Sequence, residues 1–149
     1  MSDNTYCHYA KRDFTRAKDE FNESKPLKKS LETVLANAGQ KEKEEEYRRN
    51  DIVTNLRDKE KEIRDAREKG QDDTDLENDR NKIVAALRAC EEQIRQTREF
   101  IADKTAEHYS VSGKLRKLIN DMEKARAEIN SNCSQESRDR FDSTIPSFD

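Results

Sequence analysis

From Leu76 to Ile129 a seam of mostly apolar side chains keeps a spacing of three and four positions without a break. Written as a heptad, Leu87, Ile94, Ile101, His108, Leu115, Met122 and Ile129 take the a positions, and Leu76, Ile83, Cys90, Thr97, Lys104, Val111, Leu118 and Ala125 take the d positions. A repeat of this period lays one stripe along one face of an α-helix, and it cannot serve a strand, whose faces alternate every second residue. A helix from Asp75 to about Ser131 is about 85 Å long at the standard rise per residue, so it needs a comparably long partner to cover the stripe. Gly113 falls on the outermost f position, where it weakens the helix without blocking the seam. The residues expected to carry helix packing are Leu76, Ile83, Leu87, Cys90, Ile94, Ile101, Leu115, Leu118, Met122 and Ile129.

The partner is upstream in the same chain. Gly70-Gln71-Asp72-Asp73 is a short connector, and Thr74-Asp75-Leu76-Glu77 matches a capping box in which Thr74 and Glu77 satisfy each other's free backbone N–H groups. Before it, Ile52, Leu56, Ile63 and Ala66 form a stripe, supported by the ion pairs Glu60/Arg64, Arg64/Glu68 and Asp65/Lys69. Lys41 to Arg49 is almost devoid of apolar residues, but Glu44/Arg48 and Glu45/Arg49 carry the helix through it. Leu27, Leu31, Val34 and Ala38 continue the apolar face, with Asn37-Ala38-Gly39 as a weak point or C-cap. Lys25-Pro26 predicts a break, because a proline disfavours helical geometry in the residue before it. The first segment then stands alone, with Cys7, Ala10, Phe14, Ala17 and Phe21 on one face. The expected organisation is an elongated domain over 1–133, with helices over 5–24, 26–69 and 75–131, and a flexible, disordered tail over 134–149.

A short connector between two long helices makes them antiparallel neighbours. The fold class expected is all-α, a long antiparallel helical hairpin or coiled coil. In that register Ile63 lies against Ile83, Ile52 near Ile94, Val34 near Val111 and Leu27 near Leu118. The polar stretch 41–49 falls opposite Thr97 and Lys104, which predicts a hinge or a wet waist. The stripe of the third segment is also wider than a two-stranded seam needs, since Val84, Phe100 and Ile119 flank it at e or g positions. Either the first segment folds back with Phe14 and Phe21, giving an elongated three-helix bundle, or a partner chain covers the surplus.

Composition narrows the function classes. Leu, Ile, Val and Phe make up only 25 of 149 residues, yet the net charge is only −3, so the chain does not meet both conditions for intrinsic disorder. Ala, Glu, Lys, Leu and Arg supply 68 residues, the usage of long helices and coiled coils. The N-terminal Met1-Ser2-Asp3-Asn4 has neither the charged nor the apolar part of a signal peptide, and the longest apolar run is Ile83 to Leu87. An intracellular, cytoplasmic location is expected. Three widely spaced cysteines, Cys7, Cys90 and Cys133, suggest neither a disulfide framework nor a metal cluster. Cys7-His8 would need two further zinc ligands, and none is near in sequence. The acidic run Asp72 to Asp79 is not a calcium loop, since Asn78 stands where the sixth position needs Gly and Val84 where the twelfth needs Glu. A helix N-terminus explains that run.

Two histidines a hundred residues apart, with no phosphate loop and no nucleophile elbow, leave nothing from which to build a catalytic site, so no enzyme, cofactor or small-molecule substrate is expected. Basic residues are interleaved with acidic ones at a pI of 5.6, which argues against nucleic acid. Only the segment from Tyr6 to Phe21 approaches a membrane-surface helix, so a membrane surface is not the expected partner. Lys104 and His108 are polar residues in the seam and could set register or respond to pH, against the plainer reading of a hydrated layer. Cys90 reads as a small hydrophobe. In the tail, Ser143-Thr144-Ile145-Pro146 resembles the Ser-x-Ile-Pro motif of microtubule plus-end adaptors, which implies that Ser143, Ile145 and Pro146 dock an end-binding protein. Arg138 and Arg140 fit that motif's basic surroundings, whereas Asp139, Asp142 and Asp149 do not. The expected function is therefore a structural or interaction subunit with protein partners, homo- or hetero-oligomeric, and the alternative is an adaptor that recruits a partner through its tail.

Overall fold

The computed structural model describes residues 3–149, so the leader reading of Met1 and Ser2 lies outside the described residues. Among the described residues there are three helices, α1 (Thr5–Glu68), α2 (Thr74–Asn132) and α3 (Gln135–Arg140), and no strand. The two long helices pack against each other as a hairpin. None of the helices is long and apolar enough to cross a membrane.

The expected break at Lys25-Pro26 is absent: α1 runs through Pro26, and through Gly39 as well. What holds it together is phase. Cys7, Ala10, Phe14, Ala17, Phe21, Lys28, Leu31, Ala38, Glu45, Ile63 and Ala66 are buried. Ser24, Leu35, Glu42, Arg49, Ile52, Leu56 and Lys59, half-buried, fill the gaps at the same three-four spacing. A proline inside a helix deprives the carbonyl four residues earlier of its donor and costs about 3 kcal/mol. Here Pro26 is exposed, so water can serve that carbonyl, while Phe21 and Leu31 pin the inner face on either side. The first segment is thus the start of α1 and not a separate helix folded back, which removes the three-helix bundle.

The same phase explains why Lys28, and not Leu27, is buried. Leu27 is 51% exposed. Lys28 is tolerated because its stem lies along the seam while its ammonium meets Glu32 at 2.9 Å and the Phe148 ring at 4.5 Å.

Gly70, with φ of 68°, ends α1 in a Schellman turn: the Gln71 N–H donates to the Ala66 carbonyl at 2.8 Å and the Gly70 N–H to Arg67 at 3.1 Å. The predicted capping box does not form. Asp72 Oδ1 accepts both the Thr74 N–H and the Thr74 hydroxyl, and the Glu77 carboxylate turns to Arg67, which also bonds Asp73 at 2.6 Å. The Arg67 guanidinium gives the Glu77 carboxylate a charged donor in place of a backbone N–H, and Asp72 occupies the Thr74 hydroxyl. Because the bend is set at Gly70, the pairing slips: Thr97 bonds Glu45, about one turn nearer the N-terminus of α1 than an Ile52–Ile94 pairing predicts.

Contacts divide the chain into two units. One joins the residues up to Thr33 with Thr105–Asp149. Its core is Phe14, Phe21, Leu115, Leu118, Met122 and Ile129, with Ala10, Ala17 and Ala125 between them and a Cys7–Cys133 disulfide at one end. That bridge corrects the reading that the three spaced cysteines suggest no disulfide. Cys7 and Cys133 are 126 positions apart in sequence, but each stands at the outer end of its helix's stripe, and the hairpin brings those ends together.

Nor is the 134–149 segment a free tail. Ser134 caps α3, and Phe141, Ile145 and Phe148 pack on the core. Phe141 meets Phe14 edge-on at 5.6 Å, and the Phe148 ring lies between Lys28 and Arg116. Lys25 donates to the Ser147 carbonyl at 2.7 Å. Polar composition misled here, because three large apolar side chains are enough to anchor so short a segment.

The other unit is Val34–Lys104. Its buried positions are small or polar, namely Ala38, Glu45, Ala66, Cys90 and Thr97, with Ile63 and Ile94 as the buried large aliphatics.

Two glycines of the hairpin should respond in opposite ways to a methyl group. A Cβ at Gly39 meets nothing within 4 Å and its backbone is helical, so Gly39→Ala should raise the unfolding free energy by about 0.5–1 kcal/mol. Gly70→Ala, forced into the left-handed region, should lower it by about 1–2 kcal/mol. Urea titrations of the two variants beside the parent check both signs.

Candidate functional site

The structure distributes the predicted seam residues of α2 between the units. Leu115, Leu118, Met122 and Ile129 are buried in the unit that holds the disulfide. In Val34–Lys104, Cys90 and Ile94 are buried, whereas Leu76, Ile83, Leu87 and Ile101 are only half-buried. Phe100, at a flanking position, is 44% exposed.

Within Val34–Lys104 the polar stretch of α1 meets polar partners on α2. Arg98 bonds Glu42 at 3.0 Å and Glu46 at 2.9 Å at the surface. Beneath them the Thr97 hydroxyl donates to Glu45 Oε1 at 2.6 Å, and the Cys90 thiol approaches the Glu45 carbonyl at 3.5 Å. Glu45 and Thr97 are 9% and 6% exposed, and Glu45 Oε2 has no hydrogen-bond partner. A buried carboxylate with one oxygen unserved costs stability, but it also forbids any register that would bury it without Thr97. Val34, Ala38 and Phe100 border the same layer in a shallow groove with Asn37, Lys41, Gln93 and Gln96.

Sequence reasoning placed Thr97 on the seam but missed Glu45. Carrying the phase of Ala10, Ala17, Leu31 and Ala38 forward along α1 would have set Glu45 on the inner face.

Lys104 and His108 do not act as one layer. Lys104 sits over the Phe100 ring at 5.6 Å. His108 Nε2 lies 3.6 Å from Glu32 Oε1, an electrostatic contact too long for a hydrogen bond. The Lys28 ammonium, followed by His108, lowers the Glu32 carboxyl below its usual value.

Ser143, Ile145 and Pro146 are half-buried, with Ile145 on the core. Docking of Ile145 and Pro146 into a partner's groove therefore requires the segment to leave that core.

No known protein family, curated protein or solved structure matches this chain.

The Glu45–Thr97 layer gives a direct test. Thr97→Val should destabilise by about 1–3 kcal/mol, because it leaves both carboxylate oxygens unserved. Adding Glu45→Met should restore most of that loss or exceed the parent, since the desolvated charge disappears with it. Denaturant unfolding of the two variants and the parent reads the result.

Proposed function

We propose that the chain is a non-enzymatic structural or interaction subunit that assembles by coiled-coil packing of its helices, with itself or with another helical protein. The observation that supports this reading is the uncovered stripe of Val34–Lys104. Ile52, Leu56, Leu76, Ile83, Leu87 and Ile101 all hold seam positions and all stay half-buried, beside an exposed Phe100. Apolar surface left in water forgoes about 25 cal/mol per Å², and a further helix laid along the stripe recovers it. A polar layer within the stripe, Glu45 with Thr97, supplies what such assemblies use to select register.

Light scattering after size exclusion, at two concentrations and with and without reductant, tests the proposal. A dimer or larger species that grows with concentration, persists in reductant and is lost in Leu87→Glu is the expected result. A chain that stays monomeric at high concentration and melts cooperatively contradicts it.

A further inference from the structure

Cys7 and Cys133 are both buried, and the Asp3 carboxylate lies beside them, with its ligand oxygen and the two sulfurs all within 4.8 Å of one another. Cys7 stands in the first turn of α1, where Asn4 Oδ1 accepts its backbone N–H at 2.8 Å, a position that favours an anionic ligand atom. Cys133 directly precedes Ser134, the cap of α3, and the Ser134 N–H donates to Asp3 Oδ1 at 3.0 Å. The disulfide holds the two sulfurs together, and the Ser134 N–H holds the carboxylate beside them. We propose that, once the disulfide is reduced, Asp3, Cys7 and Cys133 form a three-ligand site for a zinc-class divalent cation, so that bridge and metal are alternative occupants of one place in the fold.

The chemistry balances in two steps. A thiolate of a dithiol reductant attacks one sulfur of the Cys7–Cys133 bond and breaks it. Two electrons and two protons pass to the pair, leaving two thiols, while the reductant closes its own disulfide. The cation then displaces the two thiol protons to solvent and binds two thiolates and the carboxylate, with water in the fourth position of a tetrahedron. Thiolates on one tetrahedral zinc stand about 3.8 Å apart, which freed cysteines whose Cα atoms are 5.0 Å apart can reach by side-chain rotation.

A groove lined by Asp3, Lys11, Ser134, Glu136 and Ser137 opens beside the carboxylate and gives a hydrated ion its approach. The cost falls on Lys11, whose ammonium gives up a 3.4 Å contact with Asp3 Oδ2 and keeps its bond to Ser137, and on the Ser137 side chain, which also bonds the carboxylate. His8 follows Cys7 in sequence but is exposed and is no part of the set. This site is independent of the assembly proposed above.

The test is a cobalt(II) titration of the full chain, oxidised and after reduction with a phosphine, with far-UV circular dichroism on each sample. The reduced protein should bind one equivalent, showing thiolate-to-metal charge transfer and tetrahedral ligand-field bands that zinc removes, while the oxidised protein shows neither. Cys133→Ser should abolish the bands, Asp3→Asn should weaken binding by at least about tenfold, and Cys90→Ala should change nothing. Asp3→Asn keeps both thiols and so carries the test even where Cys133→Ser does not fold. The proposal is overturned if the reduced chain shows no thiolate–metal bands or loses its helical signal. It is equally overturned if the bands survive Cys133→Ser, or if Asp3→Asn binds as tightly as the parent.

Discussion

Everything in this fold depends on two helices keeping the same seven-residue phase along their shared face. α1 and α2 are 64 and 59 residues long, and both carry their inner positions at three-four spacing from end to end. A helix this long gains little from propensity alone, and packing of one face must supply the rest. That requirement is strong enough to carry α1 through a proline and a glycine, and to bury Lys28 while leaving Leu27 outside. Register matters more here than the hydrophobicity of any single residue.

The two contact units solve the covering problem differently. In the unit built from the chain ends, Phe14 and Phe21 face Leu115 to Ile129, the C-terminal segment lies on the flank through Phe141, Ile145 and Phe148, and a disulfide closes the end. In Val34–Lys104 the buried seam narrows to alanines, a cysteine, the Glu45–Thr97 pair, Ile63 and Ile94, and the remaining seam aliphatics stay half in water. The first arrangement is complete within one chain. The second leaves Phe100 and six seam aliphatics in contact with water.

Much of this was legible in the sequence. The α2 heptad, the hairpin turn at Gly70 and the antiparallel pairing follow from periodicity and one glycine. What escaped were effects of three-dimensional proximity. Pro26 marks a break by local rules, and only the continuous phase on both sides of it overrides them. Thr74 and Glu77 match a capping box, yet Asp72 and Arg67 offer stronger partners. Cysteine spacing along the chain says nothing about Cys7 and Cys133 until the hairpin is folded, and only then does Asp3 appear beside them. The segment after Cys133 was misjudged by composition, because three well-placed apolar side chains outweigh its polarity.

The central proposal, one seam closed within the chain in one unit and covered by a helical partner in the other, is tested most directly by amide hydrogen exchange at low and high protein concentration. The account predicts strong, concentration-independent protection in residues 7–31 and 111–133. It predicts weaker protection in residues 45–66 and 76–101 of the dilute chain, rising as concentration increases. Equal protection in all four stretches, unchanged by concentration, would contradict it.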